Sequence, residues 1–553
     1  MFIIIFLVVF VALGTLGVVF YDRFFQKKNL VLGNFPLIGR MRYLMHEVRP
    51  FVRQYFFDDD DFAPHAVIEW ILNVAKGKSG YMSFDKFDTT GSLHDGQWQM
   101  IHSSHPKNTD EMNVKFPLIG GRRKNPMQFH SYIYRSAMSL GALSFEATQA
   151  MASACADARA PFNTGEGGLA VHHIPRVKFS HERKFFKHKK ASAVGKMLWH
   201  IVPVPRLRND IIDWMGRRAC GQEERDLYLY DHEHNLFYTI DWDAPLEAFP
   251  KPDDLTDDFG QIILQIGSGL YGLRAKTSSG DEVDIDWTRF AKVASFARAV
   301  EIKLAQGAKQ SGGILKAHKN TQVVSEIRGV EKGIDLVSPN RFPFFNDMCD
   351  DSFFDFLEEV SRKSGDKPVG MKIVISDRSN IAPIAQMLAK NPDKGPDFIT
   401  VDGADGGSGA APLSMSIMFG KLIYEAVEIV VDELETAGVR DRVKIFASSK
   451  LYAPHMSARV LAAGADAIGN ARSIMIAAGC IRAGKCSGEN GPCPVGIATM
   501  EKRNRRTYAQ VMQEKITSVK NYLDAHNHEL EKVAAIMGVE SPHLLTKEHI
   551  AKK

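Results

Sequence analysis

The segment 443–500 constrains the fold of this chain more than any other part of the sequence. It opens with a short apolar run at 443–447 that breaks into Ser448-Ser449-Lys450, and a helical pattern then leads to Ala467-Ile468-Gly469-Asn470-Ala471-Arg472. That order is strand, loop, helix, strand, loop. Small and hydroxyl residues at both strand ends let backbone N–H groups approach an anion. Two such loops suit one phosphate, as after strands seven and eight of a (β/α)8 barrel.

Three further segments have the composition of buried strands. Residues 334–339, 370–376 and 398–403 are short apolar runs, and segments with helical spacing separate them. Alternating strands and helices are what an α/β barrel requires. The pattern therefore predicts a (β/α)8 TIM barrel. Lys372 lies in one of these strands, where a lysine is rarely buried without a partner.

Three cysteines follow the second loop. Cys480, Cys486 and Cys493 lie close together, and Pro494 comes directly after the last of them. This spacing suggests thiolates that bind an iron–sulfur cluster, and three ligands suit a three-iron cluster. A loop of free thiols, or a zinc site that lacks its fourth ligand, is also compatible with the spacing.

Two loops earlier in the chain are candidates for binding and catalysis. Residues 131–144 change from an apolar strand to small residues, against which a flat ring could lie, although a tight strand-to-helix turn explains the pattern equally well. Glu166 is flanked by glycines within 163–168. Such a glutamate could be presented in a cleft where burial tunes it for proton transfer, or it could belong to an exposed flexible loop.

These loops together resemble the FMN-binding synthase domain of glutamate synthases, and the similarity is closest to its short, stand-alone members. The resemblance runs from about Ser136 to the C-terminus with one interruption. The matching residues are the cysteine loop 479–499, the phosphate loop 469–472, the TGEGG sequence at 164–168, the KxAQGAK sequence at 303–309 and the glycine-rich loop 402–412. The resemblance implies a TIM barrel that binds FMN, with a 3Fe–4S cluster on Cys480, Cys486 and Cys493.

The resemblance also implies roles for individual residues. Glu166 sits where ammonia meets the substrate, Lys309 binds the carboxylate of a 2-oxo acid or offsets charge on reduced flavin, and Lys372 faces the anionic flavin. The residues implied to bind the cofactor are Ser136, Ala137, Met138, Ser139, Gln265, Lys372, Asp405, Gly406, Gly407, Ser448, Ser449, Gly469, Asn470, Ala471 and Arg472.

The chemistry implied is a reduction in which electrons enter through the cluster, pass to FMN and reduce the imine of 2-oxoglutarate and ammonia to glutamate. Two departures from the family pattern bear on it. Cys486 and Cys493 enclose six residues where the family usually has four, and Ile314 stands where full-length glutamate synthases have a glutamine. Ile314 favours an alternative, an FMN oxidoreductase that acts on another substrate. The alternative outside the enzymes is a membrane-attached redox or scaffolding protein without turnover.

The electron donor is not identified by the sequence, because no convincing Gly-x-Gly-x-x-Gly nicotinamide fingerprint is present. Full-length glutamate synthases carry an amidotransferase domain that begins with a catalytic cysteine, whereas this chain begins Met1-Phe2. We therefore expect ammonia to come from solution or from a partner. Six cysteines, three of them in one loop, indicate a reducing compartment rather than a disulfide framework.

The N-terminus has the pattern of a membrane helix. Residues 2–20 are uncharged and long enough to cross a bilayer, and Arg23, Lys27 and Lys28 follow them. The positive-inside rule then predicts a single-pass protein with its catalytic body in the cytoplasm. We expect an anchor and basic flank at 1–28, a lead-in segment that packs on the barrel at 29–115, the barrel at 116–500 and a helical extension at 501–553.

An insertion of about residues 176–257 interrupts the resemblance. Its first part, 176–218, holds twelve Lys or Arg against three acidic residues in a chain whose net charge is only +4. Aromatic residues are interleaved with the basic ones, a mixture suited to anionic lipid headgroups. The alternatives are a docking face for an acidic electron-donor protein and nucleic-acid binding. The small net charge of the whole chain and the membrane helix argue against nucleic acid.

Overall fold

The computed structural model describes residues 2–26, 29–42, 45, 65–81, 98–275, 284–309, 313–345, 347–411, 414–415, 418–489 and 491–552. Three features of the sequence lie wholly or partly outside these residues. They are the basic pair Lys27-Lys28, much of the lead-in segment 29–115, and residues 310–312 of the loop that follows Lys309.

Eight parallel strands form a closed barrel, which confirms the predicted TIM fold. In chain order they are β1 Ile133–Arg135, β2 Pro161–Asn163, β3 Gln261–Gly267, β4 Ala299–Lys303, β5 Val369–Ile373, β6 Phe398–Asp402, β7 Lys444–Ser448 and β8 Ala467–Asn470. Each strand pairs with the next one in sequence, and β8 closes on β1. The two loops predicted to bind phosphate therefore do follow strands seven and eight.

One predicted strand is not part of the barrel. Within 334–339, only Leu336–Val337 is extended, and it pairs antiparallel with Ile314–Leu315 outside the barrel. The expectation of a buried barrel strand there is wrong. The other two predicted strands, 370–376 and 398–403, are confirmed as β5 Val369–Ile373 and β6 Phe398–Asp402. All residues of β5 and β6 are buried, whereas Val337 is exposed.

The α-helices surround the barrel and extend beyond it. Their bounds are Phe2–Phe24, Leu30–Asn34, His65–Ala75, Phe145–Asp157, Ala193–Ile201, Pro205–Cys220, Trp287–Ser295, Gln322–Arg328, Asp351–Lys363, Ala382–Lys390, Ile423–Thr436, Pro454–Ala462, Arg472–Ala477, Lys502–Gln510 and Met512–Ile536. Local signals set several boundaries. The Ser144 side chain accepts a hydrogen bond from the Ala147 N–H at the start of Phe145–Asp157, and Gly329, with a φ of 67°, ends Gln322–Arg328.

Aromatic side chains fill the amino-terminal end of the barrel. The rings of Phe398 and Phe446 stack with centroids 4.7 Å apart, and Tyr134 and Phe129 pack against Phe446. A short hairpin of Leu118–Ile119 and Met127–Gln128 contributes Ile119 and Met127 to the same cluster. Because this end is packed with side chains, a cavity can form only toward the carboxyl ends of the strands.

The insertion between β2 and β3 folds into a small sheet and two helices. Its strands are Phe186–Lys190, Leu229–Asp231 and Leu236–Ile240, with the last in the centre, and its helices are Ala193–Ile201 and Pro205–Cys220. Phe179, Phe185 and Phe186 are buried in the hydrophobic core. These three rings are among the aromatic residues of 176–218 that the sequence analysis expected to suit lipid headgroups. For them that expectation is wrong, because they hold the small sheet against the barrel.

The N-terminal helix is longer than the sequence pattern indicated. It runs from Phe2 to Phe24, and its segment Ile5–Phe24 is long and apolar enough to cross a membrane by length and composition. Almost none of that segment is buried against the rest of the protein. At its end, Asp22 accepts hydrogen bonds from Arg40, and Arg23 donates one to the Gly33 carbonyl.

Candidate active site

A cavity of about 300 Å³ opens at the carboxyl ends of the barrel strands. It brings together residues from eleven separate stretches of sequence between 136 and 498. Of the residues predicted for the site, those that line it are Ser136, Ala137, Met138, Ser139, Glu166, Gln265, Lys309, Lys372, Gly407, Ser448, Ser449, Gly469, Ala471, Arg472, Cys480, Cys486 and Cys493. Candidate phosphate, acid–base and cysteine groups therefore share one space.

Three predicted residues lie just outside this lining. The Asp405 carboxylate accepts a hydrogen bond of 2.6 Å from the Ser449 hydroxyl, so it supports a residue that does line the cavity. Gly406 is held by a hydrogen bond from its N–H to the Gly403 carbonyl. The Asn470 amide donates to the Tyr522 hydroxyl, and the Asn470 carbonyl accepts from the Ser136 N–H. These residues support the cavity wall from behind.

Small polar groups gather where β7, β8 and β1 end. The Ser136 and Ser448 hydroxyls are 2.9 Å apart, and both residues are buried. Strand register places Ser448 beside Gly469. Arg472 lies next in this wall, where its guanidinium donates to the Tyr452 hydroxyl at 3.3 Å. Hydroxyls, a glycine and a guanidinium around one space are groups that can bind a phosphate.

Glu166 is the centre of a buried polar cluster. Its carboxylate accepts a 2.7 Å hydrogen bond from the Lys303 ammonium and one of 3.3 Å from the Ser338 hydroxyl. Burial alone raises the pKa of this carboxyl, but Lys303, with help from Arg328 and Lys309, holds the pKa below its ordinary value. The carboxylate is thus kept ionised inside the protein.

Two glycines give the Glu166 side chain its space. A Cβ placed on Gly313 would lie 1.8 Å from one carboxylate oxygen, and a Cβ on Gly267 would lie 2.2 Å from the other. Any side chain at either position would collide with the carboxylate. The glycines at these positions are therefore required for Glu166 to reach Lys303.

Two other lysines approach the cavity. The Lys372 ammonium lies 3.2 Å from the buried Asp402 carboxylate, which also accepts a hydrogen bond from the Gly307 N–H. Lys309 donates to the Ala410 carbonyl at 3.0 Å. Burial, reinforced by the charge of Lys303, lowers the pKa of Lys309 to about 8. The cavity therefore combines several cations with few carboxylates, a composition suited to anionic ligands.

The structure reveals one cavity-lining residue, Lys303, and one residue inside the barrel, Glu301, to which the sequence analysis assigned no role. Lys303 pairs with Glu166, and Glu301, two residues earlier on β4, accepts hydrogen bonds from Asn163, Gln265 and Thr400 inside the barrel. Residues two apart on a strand face the same side. Both residues could have been identified from the sequence, because a glutamate at 301 and a lysine at 303 stand out in an otherwise apolar strand.

The three predicted cysteines line one wall of the cavity. Burial raises the pKa of Cys480 to about 11, and the neighbouring Cys486 and Cys493 add to the increase. The Lys319 ammonium lies against this wall and donates to the Cys486 and Ala498 carbonyls. Among the described residues, no three His, Cys, Asp or Glu side chains surround a single metal position. Cluster ligands bind different irons, so their sulfurs need not converge on one point.

Comparison with known proteins identifies relatives. A family model described as the conserved region in glutamate synthase matches residues 99–540. The glutamate synthase large subunit-like protein YerD of Bacillus subtilis (strain 168) is 30% identical over 541 residues, which cover 95% of this chain and 90% of that protein. The archaeal-type glutamate synthase (NADPH) of Thermotoga neapolitana is 29% identical over 293 residues, which cover 52% of each chain.

Among solved structures, the recombinant flavin-binding domain of baker's yeast flavocytochrome b2 is similar over 95% of this chain and 90% of that one. Its sequence identity is 11% and its TM-score is 0.40. That likeness is too weak to bear on function.

Proposed function

This chain belongs to the glutamate synthase family, and we propose that it is an FMN- and iron–sulfur-dependent oxidoreductase that reduces the imine of a 2-oxo acid. The reaction proposed is 2-oxoglutarate and ammonia, with two electrons and two protons, giving glutamate and water. One observation carries the proposal. A single cavity is lined by a hydroxyl- and glycine-rich wall, a buried carboxylate–lysine pair and three cysteines.

The flavin would be held by the wall formed at the ends of β7, β8 and β1. Ser136, Ser448, Gly469 and Arg472 offer groups for its phosphate, and Gln265 and Lys372 line the part of the cavity that would receive its ring. These residues fit an anionic cofactor because they supply donors and cations within one cavity. When bound, FMN supplies hydride chemistry.

The substrate-binding residues would be cations on the other side of the cavity. Lys309 would bind a carboxylate of the 2-oxo acid while its amine carries a proton. Glu166 would accept a proton from ammonium or donate one at the substrate nitrogen, because its carboxylate lies at the cavity in contact with Lys303. Lys303 is a positioning residue that keeps this carboxylate ionised.

Cys480, Cys486 and Cys493 would hold a 3Fe–4S cluster, which when bound would supply single-electron chemistry at this wall of the cavity. The fit rests on three thiols in one wall of the cavity, of which Cys493 is buried, beside a lysine that offsets thiolate charge. The two additional residues between Cys486 and Cys493 can extend outward without moving the sulfur atoms. Residues 487–489 of that stretch are partly or fully exposed.

The N-terminal helix would anchor the enzyme in a membrane with its body in the cytoplasm. The proposal rests on the length and composition of Ile5–Phe24 and on the basic residues that follow it. Processing as a signal sequence is the competing reading of the same helix. Mass spectrometry of the mature membrane-extracted protein distinguishes them, because a retained anchor leaves the first peptide intact.

A second enzymatic function is favoured by Ile314. Its side chain lines the cavity next to Gly313 and Leu315, where an apolar contact would not recognise a polar group of 2-oxoglutarate. The protein would then be an FMN oxidoreductase that acts on a less polar oxo acid. A membrane-attached redox or scaffolding protein would bind the cofactors and turn over neither substrate.

The test uses protein purified without oxygen. Visible and low-temperature EPR spectra first report whether flavin and cluster are bound. Dithionite-reduced enzyme is then mixed with ammonium and 2-oxoglutarate, or with ammonium and apolar 2-oxo acids, and the recovery of flavin absorbance and the amino acid formed are measured. If 2-oxoglutarate restores the flavin absorbance and glutamate is formed, the proposal is supported. If only an apolar 2-oxo acid restores the flavin absorbance, the second function is supported. If no acid restores it, the protein is a redox or scaffolding protein without turnover.

A further inference from the structure

The helix Ala193–Ile201 of the insertion presents its apolar side to the outside. Val194, Met197, Leu198 and Ile201 follow the spacing of one helix face, which in a globular protein normally points inward. Here they are 59%, 56%, 40% and 67% exposed. The residue of this helix that is buried is Gly195, against Met215. Glycine permits a close approach on the inner side, so the apolar stripe must face outward.

The second helix of the insertion carries two further exposed apolar residues. On Pro205–Cys220, Leu207 and Trp214 are 43% and 41% exposed, and they lie two turns apart on one side of the helix. We name the two helices the insertion hairpin and their six exposed apolar residues the apolar stripe. An apolar surface of this kind on a folded protein marks a contact with another phase or molecule.

Basic residues surround the apolar stripe. Lys187, Lys189 and Lys190 are exposed on the neighbouring strand Phe186–Lys190. On the hairpin, the Arg208 and Arg218 guanidinium groups lie 4.8 Å and 5.2 Å from the ring centroids of Trp199 and Trp214. Apolar side chains beside tryptophans and cations match the boundary between acyl chains and anionic headgroups.

The acidic residues of the hairpin do not cancel this charge. Asp213 lies 2.9 Å from Arg506 and also pairs with Arg217, and Asp210 lies 3.6 Å from Arg506. Arg506 belongs to the helix Lys502–Gln510, outside the insertion. Because Arg506 of a third helix pairs with these carboxylates, several basic residues of the hairpin and its neighbouring strand remain to attract anions. The exception on the strand is Lys189, whose ammonium lies 3.8 Å from the Glu224 carboxylate.

The hairpin also touches the end of the N-terminal helix. The Arg206 guanidinium lies 5.7 Å from the ring centroid of Phe24, the last residue of Phe2–Phe24. The start of the second hairpin helix, where Leu207 follows Arg206, is therefore close to where a membrane-spanning helix would leave the bilayer. Ile38 and Met41, shortly after that helix, are exposed as well.

We propose that the apolar stripe of the insertion hairpin inserts into the headgroup region of an anionic bilayer, beside the N-terminal helix. The occupant is a lipid surface rather than a protein because the stripe adjoins the end of the apolar helix and is bordered by cations. Because the end of the N-terminal helix is fixed to the body, this helix alone would leave the whole molecule free to tilt in the bilayer. A second contact fixes how the barrel faces the membrane. The inference goes beyond the proposed function, since it holds whether or not the enzyme turns over.

The experiment uses the full chain in vesicles of brominated phosphatidylcholine and phosphatidylglycerol, because brominated acyl chains quench tryptophan fluorescence. The six tryptophans include Trp199 and Trp214 on the hairpin and none in residues 2–24, so the anchor itself gives no signal. We expect strong quenching in the wild type. The double variant W199F/W214F should lose most of it, and vesicles without phosphatidylglycerol, or high salt, should reduce it.

Charge in the stripe provides the decisive comparison. The variant M197E/I201E should fold normally, since both side chains are exposed, and should lose the quenching. The matched control I536E/L544E changes two exposed apolar residues outside the hairpin and should keep it. Equal quenching in the wild type and in W199F/W214F, or unchanged quenching in M197E/I201E, overturns the proposal. If the wild type instead forms a dimer in detergent that M197E/I201E dissociates, the stripe is a contact between copies and the proposal is equally overturned.

Discussion

At the scale of single residues, Glu166 and Lys303 form a buried ion pair in which each group depends on the other. Replacing Lys303 with Met leaves the carboxylate buried without its main partner, so its pKa should rise and activity at neutral pH should fall. The loss of one partner of a buried pair typically costs about 3–5 kcal/mol of stability. Lys303→Arg keeps the charge and is the matched control.

The pH dependence gives this prediction its sign. In the native protein the Glu166 carboxyl has a pKa below its ordinary value. Its contribution to stability is therefore fully present above the pKa of the unfolded chain and is lost as pH falls through the pKa of the folded protein. In K303M the acidic limb of the activity profile should move to higher pH. A profile of kcat/KM against pH that keeps its acidic limb unmoved in K303M would contradict the assignment of Lys303.

Lys309 leads to a prediction at alkaline pH. Its folded pKa is lowered to about 8 from 10.5, so the folded protein releases this proton as pH rises through about 8 while the unfolded chain keeps it longer. Stability linked to this group therefore increases with pH between those values. If the ammonium binds a substrate carboxylate, KM should increase above pH 8 with kcat little changed.

Two variants separate charge from packing at this position. Lys309→Arg should remove the alkaline increase in KM, because a guanidinium stays charged. Below pH 8, Lys309→Met should raise KM by about 10- to 100-fold over the wild type, from the loss of about 1.5–3 kcal/mol for a charged hydrogen bond. The difference should shrink above pH 8, where the wild-type amine loses its proton. Steady-state kinetics with varied 2-oxo acid measures both. An alkaline increase that persists in K309R would assign the titration to another group.

At the scale of elements, the cysteine loop is the part whose role depends on a bound group. We expect Cys486→Ser to abolish the EPR signal of the cluster and to leave FMN bound, because this residue belongs to the cysteine wall rather than to the wall of small polar groups. Cys349→Ser changes a thiol outside the loop and should keep the signal. Anaerobic preparations that contain no iron or acid-labile sulfide would remove the basis of this prediction.

The barrel strands and their loops were largely predictable, and the insertion was not. Ser448 and Gly469 follow apolar runs, and parallel strands bring such ends to one edge, so sequence order was enough to predict their proximity. Lys303 and Ser338 meet Glu166 only through the closed barrel, a contact across more than a hundred residues. The burial of Phe179 depended on tertiary packing that charge and aromatic content cannot reveal.

At the scale of the whole molecule, the N-terminal segment is fixed to the cysteine loop. The buried Asn34 amide donates to the Pro494 carbonyl at 2.8 Å, directly after Cys493, and Arg503 donates to the Asn34 carbonyl. A Cβ on Gly479 would lie 3.2 Å from Leu30. The segment that leaves the apolar helix thus packs on both ends of the cysteine loop.

This arrangement predicts that disturbing the anchor segment loosens the cysteines. Asn34→Ala removes the donor to the Pro494 carbonyl and leaves the Thr507 hydroxyl with only the Arg503 carbonyl, 3.5 Å away, which should cost about 1–3 kcal/mol locally. Hydrogen exchange in 486–499 should become faster, and the EPR signal should decay sooner in air. Asn29→Ala is the matched control, because Asn29 caps the helix Leu30–Asn34 through Val31 and Leu32 at the end away from Pro494. If both variants loosen the cysteine loop equally, its order depends on the segment as a whole. If only N34A does so, the hydrogen bond to Pro494 is the contact through which the segment after the N-terminal helix orders the cysteine loop.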